Sequence, residues 1–191
     1  MPEPMIRGHI IQQTVRYFRN ECDQDTALRI DATLPLELKA LLRELVPAHW
    51  YPRRHEAELL AAIAHVVGNE EAVRRMLLRC GASMAVGENE FMKLLMRVLT
   101  PELFLKKLGA FWTRDHQDSG GYRVERLDLE GRNASLRLTG IAGYTHSALL
   151  WQGWIHEIFR QISTVGSDVQ QSGWTWSEPA PEAVSFEVKW S

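Results

Sequence analysis

The feature that most constrains this chain is a change of hydrophobic period at residues 116–122. Before that point apolar residues recur at three- and four-residue steps, the spacing of helices that bury one face. Ile11, Val15 and Phe18 form one such stripe, and Leu59, Leu60, Ile63, Val66 and Val67 form another, opening near Pro52 and ending at Gly68. Asn69 is placed to cap the next helix, with Val73, Met76, Leu77, Cys80 and Met84 on its inner face. A further stripe runs through Phe91, Leu94, Leu95, Val98 and Leu99. Thr100-Pro101-Glu102 then starts a helix carrying Phe104, Leu108, Phe111 and Trp112, with a capping hydroxyl, proline at the first helical position and an acid at the positive end of the dipole.

After His116-Gln117-Asp118-Ser119-Gly120-Gly121 the period becomes two. Tyr122 and Val124 alternate, Leu127 and Leu129 follow in shifted phase as a bulge near Glu125-Arg126 would produce, and Gly131-Arg132-Asn133 turns the chain into Ala134, Leu136 and Leu138. A helix follows with Trp151, Trp154, Ile155, Ile158, Phe159 and Ile162 inward. Strands return with the alternating Trp174 and Trp176, a connection through Glu178-Pro179-Ala180-Pro181, and a last strand bearing Val184, Phe186, Val188 and Trp190. The pattern predicts an α+β fold in one domain over 1–191: a helical lobe over 1–116, packed on a small, mainly antiparallel sheet of two hairpins separated by a long helix over 117–191.

With 191 residues the chain can bury a core without disulfide or metal. Its two cysteines, Cys22 and Cys80, lie far apart without a partner motif, which points to reduced thiols and a cytoplasmic location. Lys plus Arg total 22 against 24 Asp plus Glu, a net charge of −2, so no basic field marks a nucleic-acid partner. No apolar run of about 18 residues predicts a membrane span, and the amino end lacks the apolar core of a signal peptide.

No nucleophile elbow, phosphate loop, HExxH or dinucleotide fingerprint is present, so the chain is expected not to be an enzyme. His65 falls opposite its helix's apolar stripe, and His55 with Glu58 and His156 with Glu157 lack a third ligand and read as polar faces. His116 has two readings. It follows Trp112 by four residues and faces a pocket if the helix persists, or it stands with Asp118 in a hydrated loop if the helix has ended. Leu108, Trp112, Leu138, Trp154 and Ile158 are the expected walls of any ligand pocket, with close core packing as the alternative. Met76, Met84, Met92 and Met96 divide in the same way between pliable wall and core.

The order of several landmarks resembles the superfamily that joins haem-nitric-oxide/oxygen-binding (H-NOX) domains, vinyl-4-reductase domains and TRAPP vesicle-tethering subunits, and is closest to an uncharacterised bacterial family within it. These marks are Gly8 in Ile6-Arg7-Gly8-His9-Ile10, Trp50-Tyr51-Pro52, Leu99-Thr100-Pro101-Glu102, Gly120-Gly121-Tyr122, Leu136-Arg137-Leu138-Thr139-Gly140, Gly153-Trp154 and Phe186-Glu187-Val188-Lys189-Trp190. The resemblance implies an apolar cavity between helices and sheet that takes haem, another tetrapyrrole or an acyl chain. Haem-binding members hold iron through a histidine before the first strand and the propionates through Tyr-x-Ser-x-Arg. The nearest matches here are His116 and Asn133-Ala134-Ser135-Leu136-Arg137, without the tyrosine. Trp176 and Val184 stand where vinyl-4-reductase domains carry cysteines, which excludes a thiolate metal site there.

The expectation is therefore a non-catalytic cytoplasmic sensory or regulatory domain, free of haem and any other cofactor, that binds an apolar small molecule or acyl chain, a signalling or regulatory protein partner, or both. The alternatives are a structural adaptor without ligand and, less favoured, a haem gas sensor on His116. With no effector domain apparent, a two-fold homodimer is expected, its interface drawn from the helix of Ile10, Ile11, Tyr17 and Phe18.

Overall fold

The computed structural model describes residues 2–86, 98–163, 167–172 and 181–191. Strand β1 (Met5–Arg7) leads directly into helix α1 (Gly8–Glu21), followed by α2 (Gln24–Thr33) and α3 (Leu36–Arg43). Strand β2 (Trp50–Pro52) precedes α4 (Arg54–Val67), which ends at Gly68 in the left-handed conformation that glycine adopts without a Cβ clash. Asn69 Oδ1 accepts from Ala72 N at 2.9 Å and caps α5 (Glu70–Val86). Helix α6 (Pro101–Asp115) is capped by Thr100, whose hydroxyl accepts from Leu103 N at 3.2 Å. The chain continues through β3 (His116–Gln117), β4 (Tyr122–Asp128), β5 (Asn133–Thr139), α7 (Thr145–Ile162), β6 (Ser167–Ser172) and β7 (Ala183–Trp190).

The larger sheet has the order β4-β5-β7-β6, every pair antiparallel, with a register shift between Val124 and Arg126 where the alternation changes phase. Ala134, Leu136 and Leu138 on β5 and Val184, Phe186 and Val188 on β7 are buried together beneath Ile155, Ile158 and Phe159 of α7. This is the expected α+β arrangement of hairpins and long helix. Phe91, Leu94, Leu95, Met92 and Met96, and the strand expected around Trp174 and Trp176, lie outside the described residues.

The second sheet, β2-β1-β3, is not visible in the hydrophobic pattern. Its strands have two or three residues, too few to establish a period. Ile6 pairs with both Tyr51 and His116, so the sheet ties the amino end to the start of α4 and the end of α6.

Ile10, Ile11 and Phe18 of α1 are buried and only Tyr17 is half-exposed, so the expected dimer face on this helix is spent on the core. Helices α5 and α7 meet backbone to backbone. A β-carbon on Gly81 would strike the Leu150 carbonyl, and one on Gly153 the Leu78 carbonyl. Gly81→Ala and Gly153→Ala are each expected to cost about 1–3 kcal/mol through overpacking, read as a lower urea midpoint with unchanged slope.

Candidate functional site

A cavity of about 660 Å³ opens between α1, α5, α6 and α7. Ile10, Met84, Phe111, Trp151 and Trp154 supply apolar wall, while Arg7, Arg16 and Arg114 place guanidinium groups along it. His9 and Asp115 also line it. His9 Nε2 stands 3.5 Å from Asp115 Oδ1, and Arg114 Nη2 is 2.5 Å from Asp115 Oδ2. Burial pushes the Asp115 carboxyl up, but hydrogen bonds from His9 and Arg114 outweigh it and hold the value at about 2.

His116 lies next to this cavity but is not among its lining residues. Helix α6 has ended by that position, yet the residue is not in a hydrated loop. Its pairing with Ile6 in β3 carries it inward, leaving it 2% exposed. The ring stacks on Trp112 with centroids 3.8 Å apart and planes inclined by 8°, and Trp151, a cavity wall, packs edge-on against it at 5.0 Å. Nδ1 is 3.2 Å from the Trp112 carbonyl oxygen. A carbonyl only accepts, so Nδ1 carries the proton and Nε2 holds the lone pair. That Nε2 is buried without a hydrogen-bond partner.

Desolvation, reinforced by the Arg53 charge, pushes the His116 pKa down to about 3. Between the ordinary histidine value of 6.5 and about 3, the unfolded chain takes up a proton that the native protein refuses. The resulting stability is fully present above pH 6.5 and falls as the pH drops through that window. Unfolding of the ligand-free protein in urea is expected to lose on the order of 4 kcal/mol across it, with a shallower slope in His116→Gln.

Behind His116 stands Arg53, 0% exposed. Its Nη1 donates to the Gly140 carbonyl at 3.0 Å, its Nε lies 3.5 Å from Glu56 Oε2, and its guanidinium covers the Tyr144 ring at 4.3 Å. Glu56 Oε2 also accepts from Ser147 Oγ at 2.9 Å. Burial pushes Arg53 down and Glu56 up, each opposed by the other's charge. Around this pair, Arg53 Nη2, Trp112 Nε1, Tyr122 OH and Trp151 Nε1 are further buried donors without partners.

The five expected pocket residues share the core without sharing a cavity. Trp154 lines the large cavity, Leu108 lines a shallow groove between α6 and β4, and Trp112, Leu138 and Ile158 are buried but line none of the described cavities. Met84 is a cavity wall and Met76 packs at the core edge. His65 is exposed as expected, whereas His55 is 2% exposed and held between Glu58 and Glu37, not set on a polar face. Among the described residues no group of His, Cys, Asp or Glu is arranged to hold a metal ion by itself. Arg137 points outward from β5 to Glu125 at 3.7 Å, so the arginine of the Asn133–Arg137 run faces away from the interior. A tyrosine, a serine and an arginine nevertheless meet inside the protein, as Tyr144, Ser147 and Arg53 from two separate segments. Sequence reasoning missed them because they form no single run.

No family model matches the chain, and no curated protein matches it. Solved structures do. The Fe(II) unliganded H-NOX protein from K. algicida superposes with a TM-score of 0.71 at 13% identity, covering 97% of each chain. A structure solved to probe haem distortion in the H-NOX family gives 0.64 at 12% identity, over 97% of this chain and 95% of that one. An oxygen-binding H-NOX domain related to soluble guanylate cyclases, in its oxygen complex, gives 0.61 at 11% identity over the same shares. These neighbours overturn the expectation of a chain without a cofactor. That expectation rested on the missing tyrosine in a contiguous motif and on the open placement of His116, and the fold is instead shared with haem proteins while His116 is buried. Over nearly its whole length, this chain has the H-NOX fold.

Proposed function

We propose that this chain is a non-catalytic sensory domain that binds haem, with His116 Nε2 as the iron ligand. The observation that carries this reading is the buried imidazole itself. It is kept neutral by desolvation, fixed as the Nδ1–H tautomer by the Trp112 carbonyl, and left with an unpartnered lone pair. A carbonyl on the far nitrogen is how proteins orient an imidazole for a metal. The aromatic walls suit a flat apolar macrocycle, and the guanidinium groups of Arg7, Arg16 and Arg114 suit its carboxylates. Arg53 Nη2 and Tyr122 OH add buried donors beside the imidazole.

Bound haem supplies an iron centre that takes a diatomic gas. The protein's own part is to orient the imidazole, exclude water with Trp112 and Trp151, and pass a change of shape to a protein partner. Titration of the ligand-free protein with haemin under reducing conditions tests the proposal. A saturable Soret band at one haem per chain is expected; a well-folded protein that leaves haem unbound overturns it.

A further inference from the structure

Strand β4 is an edge of the larger sheet, and an open groove of about 360 Å³ lies between it and α6. Leu105 and Leu108 of α6 and Tyr122, Val124 and Leu127 of β4 line the groove, and Gly109 leaves it wide, since a β-carbon there would meet nothing within 4 Å. Thr139 N donates to the Gly121 carbonyl at 3.0 Å, which turns the backbone of Gly121 toward β5. Antiparallel alternation then turns Arg123 the same way and leaves the N–H and C=O groups of Tyr122 and Val124 directed at the outer edge. The register shift after Val124 ends this straight stretch, so the edge admits a short strand and not a long one.

The charges on β4 decide what such a strand carries. Arg123 lies directly opposite Arg137 across the β4–β5 ladder, and Glu125 answers Arg137 at 3.7 Å. Among the described residues no carboxylate pairs with Arg123. On an added strand, the residues beside Tyr122 and Val124 point into the apolar groove. The residue between them stands opposite Arg123 in a pair without backbone hydrogen bonds, where side chains come closest. We propose that the β4 edge and the α6 groove bind an extended acidic segment of a protein partner, added as a strand with apolar side chains beside Tyr122 and Val124 and a carboxylate opposite Arg123. A second copy of β4 laid antiparallel over the same three residues would instead set Arg123 against Arg123. Helix α6 forms the other wall and runs directly into His116, so a strand seated here touches the element that positions the imidazole, although its binding requires no haem.

The test is fluorescence anisotropy of a fluorescein-labelled peptide, Ser-Gly-Thr-Val-Glu-Val-Thr-Gly-Ser, titrated with the ligand-free wild-type chain. Saturable binding is expected, weaker by about tenfold when lysine replaces the glutamate. Arg123→Glu should invert that preference, so that the lysine peptide binds the more tightly. Gly109→Leu should fill the groove from α6 and abolish binding of either peptide, with the melting temperature unchanged or raised, since the position faces open space and leucine is the better helix former. Methylating the amide nitrogens of the two valines, which face β4, should also abolish binding, whereas methylating that of the glutamate should be tolerated. No saturable binding by the folded wild type, equal affinity for the two peptides, or binding that survives Gly109→Leu overturns the proposal. A concentration-dependent dimer in sedimentation that Gly109→Leu dissolves assigns the edge to a second copy and overturns it as well. Every readout is taken without haem, so the outcome stands apart from that of the haem titration.

Discussion

His116→Ala is expected to abolish the Soret band that the proposed haem complex of the wild-type protein would show, while His9→Ala is expected to retain it. Both histidines are near the cavity, but their chemistry differs. His9 Nε2 is turned to the Asp115 carboxylate, whereas His116 Nε2 has no protein partner. If His116 holds the iron, removing the imidazole would leave only apolar and carboxylate contacts, so affinity should fall by at least about 10²-fold. Free imidazole added to His116→Gly should restore part of the absorbance. Trp151→Ala, which removes the ring packed between the cavity wall and His116, is expected to speed haem uptake in stopped-flow mixing. A band lost in His9→Ala and kept in His116→Ala would transfer the iron ligand to His9.

The second large effect concerns stability. Glu56→Gln should destabilise the protein by about 3–5 kcal/mol, because it leaves the Arg53 guanidinium buried without a counter-charge. Its remaining carbonyl contacts, with Gly140 at 3.0 Å and Ser119 at 3.5 Å, do not neutralise a charge. The double change Arg53→Met, Glu56→Leu should recover most of that loss, since a desolvated pair is worth little more than apolar side chains of similar volume. Urea unfolding of Arg53→Met, Glu56→Leu and the double change gives the coupling directly. A Glu56→Gln protein as stable as wild type would show that the Arg53 charge is not confined within the core.

The elements that were legible in the sequence are those that announce themselves locally. Thr100-Pro101-Glu102 carries its own cap, and α6 begins there. The β7 strand alternates over Val184, Phe186 and Val188, and those three are its buried residues. The surroundings of His116 and Arg53 depend on distant partners instead. The burial of His116 is decided by Ile6 on a three-residue strand, and that of Arg53 by Glu56, Tyr144 and the Gly140 carbonyl. An arginine before a helix reads as surface until those partners are known, and Tyr144, Ser147 and Arg53 read as unrelated residues. Periodicity finds faces; it does not report which polar side chains those faces enclose.

The small sheet has a consequence for how the molecule comes into being. Strand β1 is the central strand, held on one side by residues 50–52 and on the other by residues 116–117. A chain emerging from the ribosome presents Ile6 first but cannot complete its pairing until His116 has also emerged, by which time α1 to α5 have had time to collect around an unfinished edge. Long loops closed late are the slow steps of folding. The imidazole proposed to hold the iron is therefore set in place by one of the longest-range pairings in the chain, and haem added during synthesis would meet a helical lobe before it met its ligand.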